Sequence, residues 1–118
     1  MSEKRAVLLT AIVADELEEV CIAIAKEHGA KGVTMLSGRG INFPEHKTFF
    51  DQIYRGLNAI LLFVLEEQMA YRIADALDER LRLEEPFKGL ALVSPLEETG
   101  GIDVPGILNY LQNQKESA

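Results

Sequence analysis

The chain carries one strand–helix–strand pattern twice, and this repeat leaves few folds open. The first copy reads AVLLTAIV, DELEEVCIAIAKEHGA and KGVTML; the second reads NAILLFVL, EEQMAYRIADALDERLR and KGLALV. Lys31-Gly32-Val33 opens the last strand of the first copy, and Lys88-Gly89-Leu90 opens that of the second. A βαβ-βαβ order in 118 residues predicts one domain: an α+β, ferredoxin-like βαββαβ sandwich. It should have a four-stranded antiparallel sheet and two helices on one face. We expect residues 6–95 to form its core, 38–58 a long loop and 96–118 a C-terminal extension with a short helix.

Helical spacing supports the two central segments. Leu17, Val20, Cys21 and Ile24 fall on one face after a D-x-x-E start at Asp15 and Glu18, and Gly29 ends the run. Met69, Ile73, Ala76, Leu77 and Leu81 form the stripe of a second helix, which starts about Glu66-Glu67, where carboxylates suit the helix dipole. Asp103 and Pro105 have the character of a helix start before Ile107, Leu108 and Leu111.

Strands one and three pose a physical problem. With both helices on one face, the other face should alternate polar residues toward water. Residues 59–65 are instead apolar on both faces, and Leu8 and Ile12 oppose Val7, Leu9, Ala11 and Val13. Some eight to ten open-face aliphatic side chains would exceed the roughly 300–600 Å² of apolar patch that monomers tolerate. Sheet-face packing between copies in a ring or dimer resolves the conflict. The alternative, a C-terminal segment folded back over the sheet, has too few apolar residues to cover more than part of it.

Charge and cysteine content narrow the function classes. A net charge of −7 argues against general nucleic-acid binding, which needs a cationic face. No apolar run approaches the roughly 20 residues that span a bilayer, and the opening Met-Ser-Glu-Lys-Arg leads into a strand-like run with no cleavage signal. A single cysteine excludes an intramolecular disulfide and fits a reducing cytoplasm.

Chemistry-bearing residues concentrate between strands two and three. Gly38-Arg39-Gly40 closes a strand: its glycines permit close backbone approach, and its arginine offers a fork for phosphate or carboxylate. As a bare pattern it reads equally well as an ordinary turn. Arg39, Lys47 and Arg55, with His46, gather cations in one loop of an acidic chain. Phe49, Phe50, Ile53 and Tyr54 add an apolar stripe suited to a packing face or partner docking. Cys21 reads as a core residue and His28 as a helix C-terminal charge. The glutamate pairs 66–67, 84–85 and 97–98 are adjacent and so point apart, which makes them poor acid–base dyads. No nucleophile–base pair is suggested by spacing, so the chain reads as a non-enzyme. With two histidines and one cysteine, no metal is expected.

With GAKGVTMLSGRG before the long loop and FKGLALVSPLEETGGI closing the core, the chain resembles the nitrogen-regulatory PII-like signalling family over residues 6–102. It resembles a divergent single-domain branch more than the nitrogen regulators themselves. The resemblance implies a homotrimer with sheets packed inward and small anionic effectors, typically adenine nucleotides, in inter-subunit clefts. It also implies a long loop (the family's T-loop) that docks on a partner enzyme or membrane transporter. Carried onto this chain, it places the ligand at Gly38, Arg39, Gly40, Lys88 and Gly89. It places the partner surface at His46, Lys47, Phe49, Phe50, Tyr54 and Arg55. The family's C-terminal arginine pair is missing, because residues 96–118 contain no arginine, and the lysine expected after Gly89 is Leu90. The competing reading is a trimeric metal-binding or scaffold protein of the same fold with no nucleotide role.

Overall fold

The computed structural model describes residues 5–40, 56–85, 88–98 and 100. Along the chain run β1 (Ala6–Ala14), a 3-10 turn (Asp15–Leu17), α1 (Glu18–Glu27), β2 (Thr34–Gly40), β3 (Gly56–Glu66), α2 (Glu67–Leu81) and β4 (Gly89–Pro95). The strands form one antiparallel sheet in the order β2-β3-β1-β4. This is the expected α+β ferredoxin-like arrangement. The expected C-terminal helix and residues 41–55 lie outside the described residues.

Alternation along the strands decides which face is core. Val7, Leu9, Ala11 and Val13 of β1 and Ala59, Leu61, Phe63 and Leu65 of β3 are buried. They pack with Cys21, Ile24 and Ala25 of α1 and Ala70, Ile73, Leu77 and Leu81 of α2 in one cluster. The intervening positions form the other face. Leu8, Ile12, Ile60, Leu62 and Leu90 are half-buried there, while Leu36, Val64 and Leu92 are 52%, 51% and 48% exposed. In register, Leu8 opposes Val64, and Ile12 opposes both Ile60 and Leu90. The remaining positions of this face between Thr34 and Leu36, Leu8 and Ile12, Ile60 and Val64, and Leu90 and Ser94 are Thr10, Thr34 and Ser94. None of them is ionisable.

The start of the first helix departs from expectation, while the start of the second near Glu66-Glu67 and the end of the first at Gly29 fall where the sequence puts them. Asp15 makes no capping hydrogen bond. β1 stays paired through Ala14, opposite Asn58, so the chain turns at Asp15 and places that residue inside the turn instead of ahead of it. α2 is capped by Glu66, whose carboxylate accepts hydrogen bonds from the backbone N–H groups of Gln68 and Met69 at 3.2 and 3.4 Å. It ends at Arg82, which sits in the left-handed region at φ 54°, with the Leu83 N–H donating to the Asp78 carbonyl. α1 ends at His28, followed by Gly29 at φ 103°. An ion pair of 2.8 Å between Arg80 and Glu27 ties the helices together at the surface.

The connection between β2 and β3 is shorter than residues 38–58. Gly38, Arg39 and Gly40 pair with Asn58, Leu57 and Gly56, so both strands continue into the segment read as loop. Backbone hydrogen bonds hold this extension, and glycine-rich sequence carries no side-chain pattern to announce them.

Candidate functional site

Every residue assigned to ligand binding lies at one end of the sheet, but at two opposite edges. Gly38, Arg39 and Gly40 are the last residues of β2, one outer strand. Lys88 precedes and Gly89 opens β4, the other outer strand, and Gly89 pairs with Val13 at the end of β1. β3 and β1 intervene, so three strand spacings, roughly 14 Å, separate the edges. One copy therefore does not bring Arg39 and Lys88 onto the same small anion. Both side chains are exposed, and neither forms an ion pair with another described residue. His46, Lys47, Phe49, Phe50, Tyr54 and Arg55 lie outside the described residues.

The β2 edge is built around small residues. A β-carbon at Gly38 would come within 3.0 Å of the Ile60 Cδ1, so the glycine leaves room for that side chain. Opposite Gly38 in register, Asn58 is only 2% exposed and donates from Nδ2 to the Gly56 carbonyl at 3.1 Å. Reading the sequence alone treats Asn58 as the end of a loop. A lone amide directly ahead of an apolar run is the one signal that could have marked it as an anchor of the β3 start.

Beside Gly89, at the β4 edge, a groove of about 370 Å³ lies between α2 and β4. Buried Leu83 and Gly89 and half-buried Ala74 and Ala91 form its inner wall, and exposed Asp75, Asp78 and Glu84 line it as well. None of these carboxylates forms an ion pair with a described residue. Among the described residues, no group of three or more His, Cys, Asp or Glu side chains is placed to hold a metal ion. Cys21 is buried in the core, and loss of hydration pushes its thiol up to about 11. No helix among the described residues is long and apolar enough to cross a membrane.

No protein-family model matches the chain, and no curated protein matches it. Solved structures do. A candidate PII-like signalling protein from Thermus thermophilus superposes with a TM-score of 0.60 at 24% identity, covering 80% of this chain and 90% of that one. Arabidopsis thaliana PII bound to citrate gives a TM-score of 0.60 at 20% identity, covering 80% of this chain and 79% of that one. At these identities the likeness is one of fold, and the fold of this chain is that of the PII-like signalling proteins.

Proposed function

We propose that the chain is a PII-like signal-transduction protein, a cytoplasmic homotrimer and not an enzyme. It senses a small anionic metabolite or adenine nucleotide in clefts between copies and acts on a partner enzyme or transporter through the long connection. One observation carries the reading: Arg39 and Lys88 share an end of the sheet yet sit on opposite edges. An assembly axis running along the strands keeps that end on the same side in every copy. It then sets the β2 edge of one copy beside the β4 edge of the next, which closes a ring by a heterologous contact. The uncharged open face supports the same assembly, because Leu36, Val64 and Leu92 gain most from leaving water there. The citrate named with the Arabidopsis relative supports a small polyanion as one class of effector.

Light scattering combined with calorimetric titration of citrate, ATP, ADP and AMP tests the reading. We expect a trimer mass and saturable heat from at least one of these anions. Arg39→Ala should then weaken that binding by about 1.5–3 kcal/mol, the range for a charge-assisted hydrogen bond. A 13.1 kDa particle with no heat from any anion would refute the function.

A further inference from the structure

We infer that the outer strands hydrogen-bond between copies, β2 of one against β4 of the next, and close three sheets into a triangular prism with the apolar face inside. The inference rests on the trimeric reading above and specifies how its corners are made and why the number is three.

Both outer strands offer an edge able to pair. Among the described residues, β2 pairs only with β3, and β4 only with β1. A row of free N–H and C=O groups recruits another strand unless charges or proline blunt it. Thr34 to Gly38 and Gly89 to Ser94 contain neither, and Pro95 stands at the far end of β4. β2 is also apolar on both sides: Met35 on the helix side and Leu36 on the open side are 47% and 52% exposed. Face-to-face packing alone covers Leu36, whereas edge pairing also sets Met35 beside a neighbouring strand.

Direction and level both match. Neighbours are antiparallel throughout the order β2-β3-β1-β4, so β2 and β4 run in opposite directions. With the assembly axis along the strands, β2 meets the next copy's β4 antiparallel, as every internal pair does. Leu36, Ile60, Ile12 and Leu90 share one rung of the sheet, and Met35, Leu61, Ala11 and Ala91 the next. Across a corner the ladder continues with Leu36 level with Leu90 and Met35 level with Ala91. Toward the other end, the same count sets Lys88 level with Gly38, one rung from Arg39. That is the placement the proposed effector cleft requires.

The strand count fixes the number of copies. Three spacings within the sheet and one across the corner, about 4.8 Å each, give a side of roughly 19 Å. A triangle with that side holds each sheet about 5.5 Å from the axis, close to half the roughly 10 Å at which sheets pack. A square would hold them about 9.6 Å away and leave a hollow centre. Two facing sheets about 10 Å apart would leave their edges at about twice the pairing distance. The Leu36, Ile60, Ile12 and Leu90 rung supplies an aliphatic layer from each copy to fill the triangle.

Cysteine cross-linking of the full chain tests the pairing, with Cys21 left in place because it is buried. A disulfide needs α-carbons about 4.4–6.8 Å apart. Met35→Cys combined with Ala91→Cys should give a covalent trimer on oxidation, and each single variant should stay uncross-linked. The same product from Met35→Cys with Val93→Cys would support pairing shifted by two residues. A folded trimer with no product from either combination overturns the corner pairing and leaves the trimeric reading standing. Covalent dimers from Met35→Cys alone also overturn it, because β2 would then meet β2. Amide exchange needs no substitution: N–H groups of Thr34 to Ser37 facing away from β3 should be protected within about tenfold of those facing it. A larger gap overturns the pairing. A monomeric or tetrameric wild type by light scattering overturns both readings.

Discussion

Gly89 crosses β1 so closely that a β-carbon at its position would press against the Ile12 carbonyl oxygen and reach Val13 Cγ1 at 2.9 Å. Its φ of 133° is also one that side-chain-bearing residues rarely adopt. Gly89→Ala should therefore destabilise the chain by more than ~1 kcal/mol, since backbone and contact both oppose the new methyl. A urea melt with an unchanged midpoint would contradict the close approach.

Arg82 presents the opposite case. It occupies the left-handed position after α2 at φ 54°, where glycine carries no steric penalty. Arg82→Gly loses an exposed pair with Glu85 at 3.8 Å, a contact of little consequence. The variant should gain roughly 0.5–1 kcal/mol, seen as a higher thermal midpoint.

Cys21 sets a pH window. Burial raises its thiol from 9.0 to about 11, so between those values the unfolded chain releases the proton while the folded chain keeps it. The folded state binds more protons there, and stability should fall as pH rises from 9 to 11. Below pH 9 the contribution is fully present. Cys21→Ala should flatten that part of a stability–pH curve, and an unaltered slope would remove the thiol as its source.

Val64 lies on the open face near the end of β3, opposite Leu8 and half exposed. Val64→Lys should leave the single-copy fold intact, since the side chain is outside the core. It should also abolish assembly, because an unpaired ammonium in a dry interface costs several kcal/mol. Size-exclusion chromatography with light scattering distinguishes a folded 13.1 kDa species from a persisting trimer.

Much of this architecture is legible in residue order because burial leaves a period. Ile73, Leu77 and Leu81 mark α2, and Val7, Leu9, Ala11 and Val13 mark the core side of β1. The two-faced apolarity of β3 is equally visible, and by itself it poses the assembly question. Backbone-driven features leave no such trace. The pairing of Gly40 with Gly56, the left-handed Arg82 and the buried amide of Asn58 depend on ladder bonds and local geometry. The groove was invisible for another reason: Asp75 and Asp78 belong to α2 and Glu84 follows it, and only the fold sets them beside β4. Arg39 and Lys88 could be named as cations, but their placement on opposite edges follows from strand order alone.

The pairing of Gly40 with Gly56 has a consequence for engineering and for evolution. Strand pairing already holds Gly40 and Gly56, the residues that flank 41–55, side by side. The length of the segment between them is thus only weakly coupled to folding, since doubling a closed segment adds only about 0.6 kcal/mol of closure cost. The paired ribbon from Gly38 to Gly40 and Gly56 to Asn58 should therefore tolerate inserts of different length. On the proposed reading, in which residues 41–55 meet the partner, a change of target would require rewriting only this insert.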